Sequence, residues 1–547
     1  MDDRDRGGIG RRGFLGYAAL GTALALTAPM VAATPAEPAE TGSSVPPFEL
    51  EEITIGELQE GMKSGRISSK SVTEAYLARI DAIDKRGPGI NAIIELNPDA
   101  LSIAEALDRE RKEKGTRGPL HGVPVLIKDN IDTADRMHTT AGSLALAENI
   151  ASRDSHVAQR LRESGCVIIG KTNLSEWANF RSTHSSSGWS GRGGQTRNPY
   201  ILDRNPCGSS SGTGAGIAAN LATVGIGSET DGSIVCPSSA SALVGIKPTL
   251  GVVSRSGIIP IAHSQDTAGP MARSVRDAAI LLGALIGVDD RDPITAKSKG
   301  KVHADYTRFL DPNGLKGARI GVARQYFGFS DQVDKLMKEA IEVIGKLGAT
   351  IVDPTNMATS GKYDETETEV LLYEFKTDVN KYLAGLSAKV APRTLADLIK
   401  FNEEHRDREM PYFGQEQFEK AEKKGPLTSE KYRKALTKNH RMSRTEGIDA
   451  VIKKHKLDAV IAPTGGPVWP TDLANGDHFT GGYSTASAVS GYPHITVPAG
   501  MVFGLPVGLS FFAGAWSEPT LIKFAYAFEQ ATKARRRPKF LPTLTLG

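Results

Sequence analysis

The chain has 547 residues, of which 39% are hydrophobic and 24% are charged, and it contains 58 glycines and 30 prolines. This balance excludes a disordered chain, a collagen and a polytopic membrane protein. Its 66 lysines and arginines against 63 aspartates and glutamates give a net charge of +3, spread along the chain, so the sequence indicates no nucleic-acid partner.

The first fifty residues differ in composition from the rest of the chain. Arg11-Arg12-Gly13-Phe14-Leu15 precede a mildly apolar run that ends in Val31-Ala32-Ala33. This pattern predicts a twin-arginine-type export signal over residues 1–33, and hence export by a bacterial cell to the periplasm or outside. No stable membrane insertion is expected after cleavage, although an uncleaved anchor is the alternative because the run is close to spanning length. Residues 34–52 are predicted to form a flexible linker.

From residue 53 onward, helical patterns and short apolar runs alternate. Thr54–Glu57 and Ser71–Glu74 fit the capping-box pattern that precedes helices. Buried strands are predicted at 123–127, 166–170, 320–323, 457–462, 494–498 and 507–512. Helices are predicted at 100–114, 154–164, 331–347, 363–385 and 517–534. The alternation indicates an α/β fold, with one sheet covered by helices on both faces, in a single large domain over 53–541.

Two segments in the middle of the chain are rich in glycine and serine. Residues 207–216 hold seven Gly or Ser in ten positions, and residues 225–234 form the second segment after an Ala-rich helical stretch. We expect both to be loops, in which glycine permits close backbone approaches and serine supplies hydroxyl groups. Taken singly, such segments are most often only structural.

Two chemical interpretations of these segments fit poorly. Phosphate binding at a Walker-type loop needs a lysine at its end, and no lysine occurs between Cys207 and Lys247. A nucleophile elbow would make Ser210 the nucleophile of Gly208-Ser209-Ser210-Ser211-Gly212. That motif requires a strand directly before it, and the two prolines in residues 198–206 argue against one.

A third chemical interpretation joins the serines to Lys128. This lysine follows the predicted strand 123–127, where burial would make its amine easier to deprotonate and so a competent base. A serine hydroxyl becomes nucleophilic when such a base removes its proton, directly or through a second serine. Backbone N–H groups of a glycine-rich turn can then hold an oxyanion. This combination predicts acyl transfer that needs no histidine, no metal and no cofactor.

Several motifs in a fixed order support this third interpretation, and with them the sequence resembles the amidase signature family over about 54–540. They are Gly118-Pro119-Leu120-His121-Gly122-Val123-Pro124 with Lys128-Asp129, Gly170-Lys171-Thr172-Asn173, the two serine-rich segments, Val244-Gly245-Ile246-Lys247-Pro248-Thr249 and Asp266-Thr267-Ala268-Gly269-Pro270-Met271-Ala272-Arg273. Ala462-Pro463-Thr464 and Gly504-Leu505-Pro506-Val507-Gly508 also match. The resemblance implies a single α/β domain around a mixed sheet and a serine amidohydrolase with a Ser–cis-Ser–Lys triad.

The resemblance assigns roles to individual residues. It makes Lys128 the base and Ser233 the nucleophile. It implies Ser209 as the bridging serine, rather than Ser210 or Ser211, because the family's two serines lie about 24 positions apart, as residues 209 and 233 do. The oxyanion hole would be lined by the backbone N–H groups of Thr230, Asp231, Gly232 and Ser233.

Two departures from the usual family pattern bear on the substrate. Cys207-Gly208-Ser209-Ser210-Ser211-Gly212 replaces Gly-Gly-Ser-Ser-Gly-Gly, and Asp231-Gly232-Ser233 replaces Gly-Gly-Ser. Both resemble the bacterial peptide amidase branch, which implies hydrolysis of the C-terminal carboxamide of peptides to the free acid and ammonia. A carboxylate at Asp231 would disfavour a negatively charged substrate group there.

Other substrates and states remain as alternatives. Small aliphatic or aryl amides are the second substrate class, and an ammonia-supplying amidotransferase subunit or a catalytically silent binding protein would share the scaffold. The sequence leaves the oligomeric state open. Cys207 and Cys236 each lie close to a predicted catalytic serine, and we expect two buried free thiols there rather than a disulfide.

Overall fold

The computed structural model describes residues 45–545 of the chain. The predicted signal over 1–33 and the linker up to residue 44 lie outside the described residues. The last part of the predicted linker packs on the domain, since Leu50 is buried and Glu52 accepts a hydrogen bond from Arg535 Nε at 2.7 Å. Within residues 45–545, no helix is both long and apolar enough to cross a membrane.

A mixed sheet forms the centre of the domain. Its strands are β1 (Ile93–Leu96), β2 (Pro124–Lys128), β3 (Val167–Thr172), β6 (Val224–Glu229), β7 (Val244–Lys247) and β8 (Thr267–Ala272) in the first half of the chain. The second half supplies β9 (Arg319–Val322), β10 (Thr350–Val352), β11 (Ala459–Pro463), β12 (His494–Val502) and β13 (Leu505–Phe512). The short strands β4 (Trp189–Ser190) and β5 (Gly194–Gln195) pair separately.

The order of the strands brings the serine-rich segments next to Lys128. The eleven strands lie in the order β1-β3-β2-β6-β8-β7-β12-β13-β11-β9-β10. β2 runs parallel to both β3 and β6, and β6 runs antiparallel to β8. Because β2 and β6 are parallel neighbours, Lys128 and the residues that follow β6 lie at the same edge of the sheet. The predicted α/β domain with a mixed sheet is confirmed.

The described residues also form sixteen α-helices. Those in the first half are α1 (Ile55–Lys63), α2 (Ser69–Arg79), α3 (Ala100–Lys114), α4 (His156–Glu163), α5 (Ser211–Ala218), α6 (Val235–Ala240) and α7 (Val275–Leu285). They are followed by α8 (Asp331–Lys346), α9 (Asp364–Ala384), α10 (Leu395–Glu404), α11 (Arg406–Glu409), α12 (Glu416–Glu422) and α13 (Glu430–His440). The last three are α14 (Asp449–His455), α15 (Thr485–Ser490) and α16 (Glu518–Thr532).

Local sequence signals explain where two of the first helices begin. The predicted capping box at Thr54 and Glu57 is present at the start of α1. The box predicted at 71–74 is displaced, because the Ser68 hydroxyl accepts from the Ser71 N–H and α2 therefore starts at Ser69. Helix α2 thus begins three residues earlier than the pattern predicts.

The second glycine-rich segment differs from its prediction, since its first half is a central strand. Residues 224–229 form β6 rather than a loop, and helix α5 packs on it closely. A Cβ at Gly225 would lie 2.6 Å from Thr213 Cγ2, and one at Gly227 would lie 2.7 Å from Ser210 Oγ. Glycine is needed here so that the helix can approach the strand, and that composition concealed the strand.

The stretch from 364 to 440, which carries no readable motif, is helical. Its helices α9, α10 and α12 supply about half of a second apolar cluster, separate from the core around the sheet. Phe375 and Phe418 stack at its centre with ring centroids 5.0 Å apart. This packing fixes helix α9, whose last turn lies beside the site described next.

Candidate active site

Lys128 is the last residue of β2 and is fully buried. Its amine Nζ lies 2.7 Å from Ser209 Oγ, 2.9 Å from Ser228 Oγ and 3.2 Å from the Ser228 carbonyl oxygen. A buried ammonium is normally paired with a carboxylate. This amine instead contacts three uncharged oxygen atoms, which is the environment of a group that can lose its charge.

Among the three consecutive serines, Ser209 is the one whose hydroxyl contacts Lys128. The Gly208–Ser209 peptide bond is cis. The Ser210 hydroxyl donates to the Ser228 carbonyl at 3.1 Å, and the Ser211 hydroxyl donates to the Cys207 carbonyl at 2.6 Å. These two hydroxyls are engaged by the backbone, so the geometry offers no support for Ser210 as a nucleophile.

Ser228 and Asn130 determine how a neutral amine at Lys128 is oriented. A neutral amine has two N–H donors and one lone pair. The Ser228 carbonyl can only accept, so it takes one N–H, and the Ser228 hydroxyl accepts the other while Asn130 Nδ2 also donates to it at 2.8 Å. The lone pair of the amine is then free to accept the hydroxyl proton of Ser209. In this orientation Lys128 can act as the proton acceptor and Ser209 as the donor.

Ser233 lies on the loop that follows β6. No backbone N–H of residues 230–233 donates a hydrogen bond to the part of the chain spanning 45–545. The Ser233 hydroxyl likewise makes no hydrogen bond to these described residues, while its carbonyl accepts from the Ser210 N–H at 3.2 Å. The structure therefore brings Lys128 and Ser209 into contact, and the backbone of Ser233 is hydrogen-bonded to Ser210, the residue after Ser209.

Side chains on both sides fix this loop. Glu229 Oε2 accepts from the N–H groups of the two residues that follow Ser233, at 2.8 and 3.1 Å. Thr230 Oγ1 donates to Asp266 Oδ1 at 2.6 Å. A loop held in this way keeps its N–H groups in place while leaving them available as hydrogen-bond donors, as an oxyanion site requires.

Asp231 keeps its carboxylate beside the loop. Thr485 Oγ1, at the start of α15, donates to Asp231 Oδ2 at 2.7 Å. Burial raises the pKa of Asp231, while the hydrogen bonds from Ser484 and Thr485 act in the opposite direction. The structure thus places the Asp231 carboxyl beside the loop, and its effect on a negatively charged substrate stays a prediction.

A disulfide links the first serine-rich segment to helix α6, which follows the second. Cys207 and Cys236 are bonded, with their Cα atoms 6.0 Å apart, while Cys166 is a buried free thiol. The prediction of two free thiols was therefore wrong. The cysteines are 29 positions apart in sequence, but the packing of α5 against α6 brings them together, and no spacing rule predicts that packing.

Burial lowers the pKa of Lys128 to about 7, against smaller opposing effects from the charges of Glu229 and Asp266. Burial also raises the pKa of Asp266 to about 6. A lysine and an acid whose pKa values are displaced toward neutrality are typical of a catalytic site.

A cavity of about 320 Å³ opens beside this group. Ser209, Ser228 and Thr230 form part of its lining, and Tyr382 of α9 lines it as well. Ser233 does not line it and is only 7% exposed. The volume is at the lower end of the roughly 300–1,000 Å³ of ligand pockets, which suits a small amide.

One cluster at this cavity could in principle hold a metal. His263, Glu374 and Asp378 place their ligand atoms within 4.8 Å of one another. His263 Nδ1 lies 2.7 Å from Asp378 Oδ2, and Tyr432 donates to Glu374 Oε1 at 2.6 Å. Burial lowers the pKa of His263, but the Asp378 hydrogen bond and the Glu374 charge outweigh it, so the pKa is raised. An imidazolium between two carboxylates satisfies this cluster without an ion.

Sequence reasoning missed Ser228, Asn130 and Asp266. Asn130 had a detectable signal, because residues two apart at a strand end point to the same side, and Asn130 follows Lys128 by two. Ser228 lies in β6, whose glycines indicate a loop in the sequence. Asp266 stands at the start of a recognised motif, but nothing in that motif indicates its contact with Thr230.

Comparisons with known proteins show what this chain is similar to. A family model described as Amidase matches residues 71–522. An Arabidopsis thaliana protein named as a probable amidase is 44% identical over 90% of this chain and 93% of its own length. The crystal structure of the native peptide amidase from Stenotrophomonas maltophilia is 50% identical, covers 90% of this chain and 100% of its own, and superimposes with a TM-score of 0.86. One subunit of the glutamyl-tRNA(Gln) amidotransferase from Thermoanaerobacter pseudethanolicus is 32% identical over 90% of this chain and 99% of its own.

The expected localisation is corrected by these relatives. Besides the plant protein, relatives at 39% and 36% identity come from the fungi Arthroderma benhamiae and Schizosaccharomyces pombe. Eukaryotic relatives of this similarity contradict the prediction of a bacterial exported protein. The arginine pair at Arg11-Arg12, on which that prediction was based, precedes the described residues.

Proposed function

The chain belongs to the amidase signature family of amidohydrolases, and on that premise we propose that it removes the C-terminal carboxamide of peptides. The products are the free acid and ammonia. The observation that carries the chemistry is the contact of the buried Lys128 amine with Ser209 Oγ at 2.7 Å. In this proposal Lys128 is the base, Ser209 the bridging serine and Ser233 the nucleophile.

The reaction then proceeds in two steps. Ser233 Oγ attacks the carboxamide carbon while its proton passes to Ser209, whose own proton passes to Lys128. The oxyanion is held by the N–H groups of residues 230–233, and the C–N bond breaks as the amide nitrogen takes the proton from Lys128 and leaves as ammonia. Water then attacks the acyl-enzyme, its proton follows the same route, and the acid is released with Ser233 restored.

The likeness to the Stenotrophomonas maltophilia peptide amidase supports a peptide substrate. The segment Asp231-Gly232-Ser233 supports it too, because a carboxylate beside the nucleophile disfavours substrates that are already acids. Small aliphatic or aryl amides are the second candidate. An amidotransferase component is the third, and the likeness to the Thermoanaerobacter pseudethanolicus protein supports it.

Ammonia release distinguishes the candidates. The substrates are an N-acetylated dipeptide amide and a simple aryl amide, each assayed with the wild type and with Ser233→Ala. Loss of the nucleophile should lower the rate by at least about 1,000-fold. Ser211→Ala is the matched control, because its hydroxyl bonds to the Cys207 carbonyl and to the Ser175 hydroxyl rather than to Lys128, and its rate should stay within a few-fold of the wild type.

Each outcome decides between the proposals. Ammonia from the dipeptide amide that disappears in Ser233→Ala supports both the substrate and the nucleophile. Turnover of the aryl amide alone would keep Ser233 and discard the peptide substrate. Ammonia from neither substrate would favour a protein that requires a partner, and full activity in Ser233→Ala would overturn the assignment of the nucleophile.

A further inference from the structure

A second cavity adjoins the one at the candidate active site. It has a volume of about 230 Å³ and is lined by residues 149–154 and 385–387, together with Asp132. Gly257, Arg291 and Tyr382 line both cavities. The two spaces are therefore separated by a wall that three residues form.

Tyr382 is the part of this wall that a side-chain change can remove. Gly257 has no side chain, and Arg291 is held by Asp289 Oδ1 and the Asp154 carbonyl, each at 3.1 Å. Tyr382 stands in the last turn of α9 and reaches across with its phenol ring. Substitution of Tyr382 would thus leave the other two wall residues in place.

The tip of Tyr382 is fixed from the side of the second cavity. Its hydroxyl donates to Asp132 Oδ1 at 2.9 Å and accepts from Asn149 Nδ2 at 3.3 Å. Asp132 and Asn149 are both buried and both line the second cavity. A phenol held at its base by a helix and at its tip by two buried partners is a rigid partition rather than a mobile side chain.

We propose that Tyr382 divides one longer substrate cleft and so limits how many residues of the acyl chain the protein accepts on the N-terminal side of the scissile carboxamide. This inference depends on the proposed function. The first cavity, of about 320 Å³, has room for a short amide, and opening the partition would add about 230 Å³ to it. The wild type is therefore selective for short peptide amides.

The chemistry of the second cavity fits a peptide chain. Its lining includes the carboxylates of Asp132 and Asp154, the cations of Arg153 and Arg291, and apolar side chains such as that of Ile150. Mixed charges with apolar patches suit the alternating amide groups and side chains of a peptide better than they suit a lipid chain or a polyanion. The ligand of an opened cleft would accordingly be a longer peptide amide.

The test compares Tyr382→Ala with Tyr382→Phe. The substrates are an N-acetyl amino-acid amide (the monopeptide) and an N-acetyl tripeptide amide, and kcat/KM is measured by ammonia release. Tyr382→Ala removes the partition, so the ratio of kcat/KM for the tripeptide over the monopeptide should rise about tenfold. Tyr382→Phe keeps the ring and loses only the bonds at its tip, so its ratio should stay within about twofold of the wild type. An unchanged ratio in a folded Tyr382→Ala protein overturns the proposal.

Two further measurements keep the test decisive. If Tyr382→Ala does not fold, Tyr382→Leu, which retains more apolar packing in α9, takes its place with the same expected rise and the same refuting result. If the wild type hydrolyses no peptide amide, the proposed function has failed, and a series of simple amides of increasing acyl length then tests the partition separately. A length preference in that series that Tyr382→Leu leaves unchanged would overturn the role of Tyr382.

Discussion

The ionisation of Lys128 is expected to set the pH dependence of hydrolysis. Burial lowers the pKa of this amine from 10.5 to about 7. At pH 7 about half of the molecules then carry a neutral amine, against about 3 in 10,000 for an exposed lysine, which is about 1,600 times more base. The same difference means that charging the buried amine costs about 5 kcal/mol more than charging it in water.

The assay is ammonia release from a peptide amide at constant ionic strength. We expect kcat/KM to rise tenfold per pH unit at low pH and to level off above about 7. Lys128→Met should lower the rate by at least about 1,000-fold at every pH. Lys247→Met is the matched control, because Lys247 is equally buried but bonds to the Pro248 carbonyl instead of to serine hydroxyls.

The same ionisation predicts a change in stability. The unfolded chain has a Lys128 pKa of 10.5 and the folded chain one of about 7, so between these values the unfolded state binds the extra proton and stability rises with pH. Below about 7 both states are charged, and the full cost of burying the charge destabilises the fold. Lys128→Met removes that cost, so its Tm should exceed that of the wild type at low pH, with a difference that shrinks as pH rises.

Three results would refute this reasoning about Lys128. A kcat/KM that stays flat across neutral pH would show that no group with a pKa near 7 acts as the base. A Lys128→Met protein with activity within about tenfold of the wild type would exclude Lys128 itself. If the inflection in the pH profile of kcat/KM disappeared in Lys247→Met, with Lys128 intact, the titrating group would be Lys247 rather than Lys128.

Two further predictions concern the disulfide and the cluster of possible metal ligands. Replacing Cys207 and Cys236 by serine frees a loop closed across 29 positions, which should cost about 3–4 kcal/mol of stability. Urea unfolding measures this loss, and an unchanged midpoint would contradict the pairing. Dialysis against EDTA should leave ammonia release unchanged, because the proposed reaction uses no metal. The contrary result would be a loss of activity with EDTA that added Zn²⁺ reverses in the wild type but not in Glu374→Gln. That result would place a metal at His263.

The strands and helices that could be predicted from sequence are those with a strong local pattern. The buried run before Lys128 and the long amphipathic helix α8 both carry such a pattern, and both are present. β6 could not be predicted, because its glycines at 225 and 227 serve the contact with α5 and dilute the apolar signal. Sequence patterns fail to predict a strand when its residues are determined by the packing of a neighbouring element rather than by burial alone.

The residues of the candidate site likewise fall into those that the sequence predicts and those that only the packed structure shows. Lys128 and Ser209 could be predicted because a resemblance of ordered motifs preserves spacing along the chain, and the structure places the two side chains in contact. The disulfide and Tyr382 depend on contacts between segments far apart in sequence, 233 positions in the case of Tyr382 and Asn149. No spacing along the chain encodes such contacts, so only the packed structure shows them.

Three buried lysines show why position within the packed sheet decides which of them can act as a base. Lys171 donates to the Ile131 carbonyl and to Thr139 Oγ1, and the nearby charges of Asp129 and Asp132 favour its charged form. The carboxylates of Glu229 and Glu518 act likewise on Lys247. Lys128 is equally buried and is also acted on by the charges of Glu229 and Asp266, yet of these three amines it is the one that contacts the hydroxyls of Ser209 and Ser228. These charges compensate only part of the cost of burying the ammonium, and the cost that remains makes the neutral amine available to accept a proton from Ser209.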